Sequence, residues 1–220
     1  MSREVRVEKE KATSVEKSAP VSPPGSRPTT KADQRRATTN RLIAEARKLF
    51  ADKGYADTSL EEITDAAEVT KGALYHYFRG KKDLFGAVVA QVHREVAEQV
   101  AGAAPDADPW TQLVAGCRSF LEATNHPDAR RILLVDAPSV LGWESWRHHD
   151  AATSLQELQS VLTVLIERGE IAAQPVEPLA HLLSGAMNEA ALWLSQSESP
   201  SRDLELVMAP LTTMLESFRT

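Results

Sequence analysis

From Asp33 onward the apolar positions recur at steps of three and four residues, the spacing of helices with one buried face. In QRRATTNRLIAEARKLFADKGY, residues Leu42, Ile43, Ala46, Leu49 and Phe50 form such a stripe, and Gly54 stands where a C-terminal cap belongs. Thr58-Ser59-Leu60-Glu61 reads as a capping box pairing Thr58 with Glu61, which opens a short second helix with Leu60, Ile63 and Ala67 facing inward. Thr70 can cap a third helix from about Lys71 to His76, anchored by Leu74 and Phe78. Gly80 precedes a long fourth helix that starts near Lys81 and carries Phe85, Val88, Val89, Val92, Val96 and Val100 on one side.

The remainder is also helical in pattern, with no strand-like alternation. Pro105 and Pro109 break the chain before the amphipathic WTQLVAGCRSFLEAT, and His126-Pro127 ends that helix. DARRILLVDAPSVLGW predicts a short buried helix interrupted by Pro138 and Gly142, and WESWRHHDAATSLQELQSVLTVLIERGE a long one ending near Gly169. Two helices close the chain. In the first, Leu179, Leu183, Ala186, Ala190 and Trp193 share a face with small residues that permit close approach. In the last, Leu204, Met208, Leu211, Leu215 and Phe218 step by four and three as in a short coiled-coil seam, with Pro210 predicting a kink or restart. Two such helices per subunit predict a four-helix homodimer interface.

Two short helices separated by a few residues must cross steeply to share one core, which is the helix-turn-helix arrangement. Its second helix is the one that enters a DNA major groove. Here that helix lies in VTKGALYHYFRGKKDLF. Small Gly72 and Ala73 let its start approach base edges, Lys71 can reach a guanine or a phosphate, and Thr70 can donate to a phosphate while capping. Tyr75 and Tyr77 present hydroxyl donors on rigid rings, His76 ends the reading face, and Lys81 with Lys82 places charge at the start of the fourth helix.

Charge sharpens this picture. The formal net charge is −6, yet residues 1–85 hold 17 Lys and Arg against 13 Asp and Glu, and the remainder holds 8 against 18. No lysine follows Lys82. Only the N-terminal part is suited to a polyanion. Composition adds bounds: 42% hydrophobic residues suffice for a real core. The lone Cys117 rules out an intramolecular disulfide and a cysteine-based zinc site. No signal peptide or long apolar run is present, so the expected setting is the cytoplasm, with no membrane partner. Residues 1–32 are proline-containing and poor in apolar side chains, the composition of a disordered tail.

The segment ATTNRLIAEARKLFADKGYADTSLEEITDAAEVTKGALYHYFRGKKDLFGAVV resembles the N-terminal domain of the TetR family, the tetracycline-repressor-like transcriptional regulators. The resemblance is carried by Phe50, Gly54, Thr58-Ser59, Ile63, Ala67, Val69, Gly72, Leu74, Tyr75, Phe78, Lys81 and Leu84. It implies an all-α protein: a helix-turn-helix DNA-binding domain over 33–80, joined by a long helix to a helical effector-binding and dimerisation domain over 81–220. It also implies a homodimer on a partly palindromic double-stranded DNA operator. By position the implied DNA contacts are Thr70, Lys71, Gly72, Ala73, Tyr75, His76, Tyr77 and Lys81, with Arg41 and Thr58 as further phosphate candidates. Three positions depart from the pattern. Glu68 stands where Gly is frequent in the turn, Thr64 where Ala is usual, and Gly80 where a polar cap is usual. LLVDAPSVLGWESWRHHD followed by VEPLAHLLSGAMNEAALWL is in turn similar to the effector half of actinobacterial-type TetR regulators.

A regulator of this kind is expected to release DNA on binding a small-molecule effector. Trp110, Arg118, Phe120, Trp143, Trp146, Met187, Asn188 and Trp193 supply apolar walls and polar handles for a pocket. No cofactor is implied. His148-His149-Asp150 invites a metal or catalytic reading, but adjacent helical side chains point about 100° apart, so the two histidines rarely share an ion. Two other readings stay open: a helix-turn-helix protein that binds DNA without any ligand, and a small helical enzyme using His148, His149 and Asp150.

Overall fold

The computed structural model describes residues 30–142, Glu144, Trp146 and 154–220. Helix α1 (Lys31–Lys53) starts two residues inside the span expected to be a tail. The Thr30 side chain accepts from the Asp33 amide, and Asp33 accepts from the Thr30 amide in return. Leu42, Ala46 and Phe50 are buried along its inner face, as their spacing predicts. The short helices α2 (Leu60–Ala66) and α3 (Lys71–Tyr77) follow, then α4 (Lys81–Ala101).

One local expectation changes, and the three positions that depart from the family pattern show how each is accommodated. The cap of α2 is Ser59 with Glu62, not Thr58 with Glu61. Thr58 is instead buried, its hydroxyl donating to the Gly54 carbonyl at 2.8 Å, which stitches the end of α1 to the turn. Glu68 does occupy the left-handed region, with φ of 53°, the conformation that favours glycine. Thr64 is buried but donates to the Glu61 carbonyl at 2.9 Å, so its hydroxyl is satisfied. Gly80 offers no side-chain cap to α4; the Asp83 carboxylate accepts from the Arg79 amide at 2.9 Å beside it.

The body is built on α4. Asp108 caps α5 (Pro109–Asn125), accepting from the Trp110 and Thr111 amides, with Pro109 in the first turn. The expected interruption at Pro138 does not occur. Helical backbone runs from α6 (Pro127–Ala129) through a π-helical segment (Arg130–Asp136) into α7 (Ala137–Leu141). Bonds in the π segment reach five residues back, as from the Ala137 amide to the Ile132 carbonyl, so the wider turn accommodates a proline that lacks its own N–H. Of the long helix expected over 143–169, α8 (Ser154–Glu167) lies among the described residues. Helices α9 (Val176–Ser195) and α10 (Pro200–Glu216) complete the body, and α10 runs through Pro210 without restarting. The chain end is tied down by an antiparallel bridge from Arg219 to Ile171 and by the Thr220 hydroxyl on the Gly169 carbonyl.

The stripes expected to form a dimer face are largely spent inside the subunit. Leu179, Leu183, Met208, Leu211 and Leu215 are buried in its core, while Ala190, Leu204 and Phe218 pack partly against it. Of that set Ala186 is exposed. A helix needs an inner apolar stripe simply to join its own bundle, and in α9 and α10 the regular spacing records that packing. Trp193 of the expected face does point outward, at 49% exposure, and the other outward apolar side chains of these helices are Leu182 at 73% and Leu206 at 57%.

Candidate nucleic-acid interface

Helix α3 is held from below. Leu74 and Phe78 are buried in the hydrophobic core, α3 packs against α2, and Ala67 is buried in the turn between them. Its remaining faces are open: Lys71, Gly72, Tyr75 and His76 are exposed, and Ala73 and Tyr77 are half-buried. Thr70 is exposed and accepts from the Ala73 amide at 3.2 Å, leaving its hydroxyl proton free to donate outward. At Gly72 an added Cβ would meet only the Thr70 hydroxyl, at 3.9 Å, and the backbone there is not strained. Internal packing therefore does not require this glycine.

The donors are positioned by specific neighbours. The Lys81 ammonium lies 4.3 Å from the centroid of the Tyr55 ring and 3.2 Å from the Ala56 carbonyl, which aims it along the head surface. Tyr77 packs its ring edge against His76 and lies under the Arg35 guanidinium, 5.9 Å from the ring centroid. Lys71, Tyr75 and Lys81 line one shallow depression of about 440 Å³ with Glu61 and residues 56–60. Arg41 is exposed on α1 but does not line it, and Thr58 lines its floor buried, with its hydroxyl proton committed to the Gly54 carbonyl and not, as expected, offered to a phosphate.

Sequence reasoning missed two features. Glu61 forms an ion pair with Lys71, which holds the Glu61 carboxyl below and the Lys71 ammonium above their ordinary values. The reading surface thus carries its own anion. The second is a junction between body and head. The Arg131 guanidinium donates to the Lys53 carbonyl at 2.8 Å and the Asp52 carbonyl at 3.3 Å, closing the C-terminal end of α1. Asp136 accepts from the Tyr55 amide at 2.9 Å. Both residues stand on the π-helical segment, about eighty positions from their partners, and no local sequence signal marks them.

The body contains a cavity of about 260 Å³ between α4, α5, α8 and α9. Val100, Leu113, Cys117, Phe120, Leu158 and Met187 give it apolar walls, and Gln112, Ser154 and Glu157 its polar ones. Phe120 and Met187 are the members of the expected pocket set that reach it. Arg118 turns to the surface in a two-pronged ion pair with Glu205, at 2.6 and 2.9 Å. Trp110 is buried under the Arg219 guanidinium, Trp146 is in the core, Asn188 faces Ser184, and Trp193 points outward. Trp143, His148, His149 and Asp150 lie outside the described residues. Burial pushes the Cys117 thiol up to about 12, which keeps it protonated at neutral pH.

Among the described residues no group of His, Cys, Asp and Glu is arranged to hold a metal ion, and no helix is long and apolar enough to cross a membrane.

Comparison with known proteins agrees with this architecture at both ends. The family described as bacterial regulatory proteins, tetR family, matches residues 42–88, and the tetracyclin repressor-like C-terminal domain matches residues 110–218. The crystal structure of a TetR-family transcriptional regulator from Pectobacterium atrosepticum is 36% identical, with a TM-score of 0.75, over 87% of this chain and 98% of that one. The transposon Tn10 TetC protein of Escherichia coli is 26% identical over 150 residues, which cover 68% of this chain and 76% of that protein. The A-factor receptor protein of Streptomyces griseus is 29% identical over 175 residues, 76% of this chain and 58% of the receptor. With its head matched by the family's N-terminal model, its body by the C-terminal one, and nearly the whole of a solved member covered at 36% identity, the chain belongs to the TetR family of transcriptional regulators.

Proposed function

We propose that two copies of the chain pair through α9 and α10, bind an inverted-repeat operator with their α3 helices in successive major grooves, and repress transcription until a small molecule enters the body. The observation that carries the DNA-binding mode is the outward face of α3. Its exposed donors Thr70, Lys71, Tyr75 and His76 surround a glycine that the protein's own packing does not need. Lys81 and Tyr77 flank that face as backbone contacts, and Arg41 is placed on α1 to reach a phosphate. Pairing is supported by the outward Leu182, Trp193 and Leu206, apolar groups on the two adjacent terminal helices. The cavity and the similarity to a protein named as a receptor support an effector. A binding role rather than catalysis, exercised on DNA in the cytoplasm, follows from this reading.

Selection of bound duplexes from a random pool tests it. The expected product is an inverted repeat with half-site centres about one helical turn, roughly 34 Å, or a multiple apart. Lys71→Ala and His76→Ala should alter the selected bases. Tyr75→Phe and Lys81→Ala should weaken binding across sequences, with Lys81→Ala flattening the salt dependence by about one unit. Unchanged affinity in both of the latter would remove this docking.

A further inference from the structure

The cavity between α4, α5, α8 and α9 has a chemical bias. Its walls are hydrocarbon and thioether or thiol, and among the described residues lining it the solvent-exposed Glu157 is the one charged side chain, with no Lys, Arg or His. Ser154 and Glu157 stand three residues apart on α8, with Leu158 and Val161 on the same wall. Residues at that spacing have Cβ atoms about 5–6 Å apart, so one ligand group can touch both. The Ser154 hydroxyl is buried, with 9% of the residue exposed, and has no hydrogen-bond partner among the described residues. An orphaned buried hydroxyl costs free energy unless something else satisfies it. On the facing helix the Gln112 amide is held in place by donating to the Ala107 carbonyl at 2.9 Å and the Pro105 carbonyl at 3.3 Å, which commits its N–H groups and leaves its oxygen as an acceptor.

The polar side of the cavity therefore consists of acceptors, one of them anionic, beside a hydroxyl that can also accept. A carboxylate ligand would meet Glu157 with like charge and, among the described lining residues, no cation to offset it. An ammonium group brings three donors and the opposite charge. At about 260 Å³ the space lies just below the usual range of roughly 300–1,000 Å³ for ligand pockets, which favours a compact body. Resting on the effector reading above, we propose that the cavity takes a small apolar primary amine, its hydrocarbon part against Phe120, Leu113 and Met187 and its ammonium between Ser154 and Glu157.

Three probes of one shape separate the alternatives: phenethylamine, phenethyl alcohol and hydrocinnamate, titrated calorimetrically into the full chain. The amine should bind about tenfold tighter than the alcohol, the size expected of one charge-assisted hydrogen bond, and the carboxylate weakest. Glu157→Gln should erase the preference for amine over alcohol, weakening the amine far more than the alcohol. Ser154→Ala should weaken both several-fold, and Ala104→Trp, at the rim, should exclude all three. Hydrocinnamate binding as tightly as the amine, a preference that survives Glu157→Gln, or no binding by any probe overturns the proposal. The same titrations on a complex with a selected duplex keep the two readings apart. Ordered binding without DNA release removes the effector role and leaves the ligand class intact. Release by hydrocinnamate does the reverse.

Discussion

In the three-helix head, what faces outward is polar and what holds the helices is local; in the last two helices of the body both relations are inverted. The head's one large, strongly exposed hydrophobic residue is Tyr75, which carries a hydroxyl, whereas α9 and α10 expose Leu182, Trp193 and Leu206. The head's helices each begin on a side-chain cap, from Thr30, Ser59 and Thr70, while α9 and α10 have none. Seven-residue helices such as α2 and α3 cannot persist on their own, so each needs its unpaired amides met at once. Helices of 20 and 17 residues can rely on burial instead. In the proposed reading, one surface meets a charged, hydrated polymer through donors, and the other loses water against a second copy of the chain.

The largest effect should come from attacking the apolar side. Leu182→Glu combined with Trp193→Glu should convert the proposed dimer to a monomer without unfolding it, since both side chains are exposed. Operator affinity should then fall by at least about 100-fold, because two linked half-site contacts become independent. Sedimentation and anisotropy titration read the two changes. A doubly substituted chain that remains dimeric would show that the copies pair elsewhere.

The junction between the regions comes next. Gly54 has φ of 87°, and an added Cβ would stand 2.4 Å from the Arg131 guanidinium. Gly54→Ala should destabilise the chain by about 1–2 kcal/mol through the backbone alone. Arg131→Ala should cost less, about 0.5–1 kcal/mol for its hydrogen bonds to the α1 carbonyls. The two costs should not add, because removing Arg131 also removes the side chain that the new methyl meets. Urea denaturation of the single and double variants gives the comparison. Within the head, Glu68→Gly should raise stability by a smaller amount, about 0.5–1 kcal/mol, as relief of the left-handed strain outweighs the added freedom of the unfolded chain.

The contrast also explains what could be read in advance. The α1 stripe, the α3 boundaries and the burden on Glu68 depend on residues within one or two turns, and sequence spacing carries them. Even there the cap slipped by one residue, because Thr58-Ser59 followed by Glu61-Glu62 offers two overlapping boxes. What decides is Thr58's burial against Gly54, a tertiary fact. In the body, Leu179 and Leu211 have the spacing of an interface, yet an inner and an outer stripe differ only by rotation about the helix. The cavity was equally hidden. Tryptophans suggested its walls, but Trp110 and Trp146 fill core and Trp193 points outward, while Ser154 and Glu157 give no signal by themselves.

The smallest expected effect tests how much the head depends on its local polar bonds. Glu62 accepts from the Ser59 amide at 2.8 Å and pairs with Lys53 at 2.6 Å; the Lys53 bond first, then those from Ser59, lower its carboxyl from 4.5 to about 2. A carboxyl whose folded value is depressed stabilises the fold fully above its unfolded value and loses that contribution as pH falls through the folded one. Wild type should therefore be more stable than Glu62→Gln at pH 7. The gap should narrow below about 4.5 and close near 2. It should remain small, because the pair is solvent-exposed and glutamine can still accept from the Ser59 amide. Urea midpoints of both chains across that range decide the matter. A gap constant with pH would show that Glu62 acts through hydrogen bonds that do not need its charge, leaving the Lys53 ion pair without a share in stability.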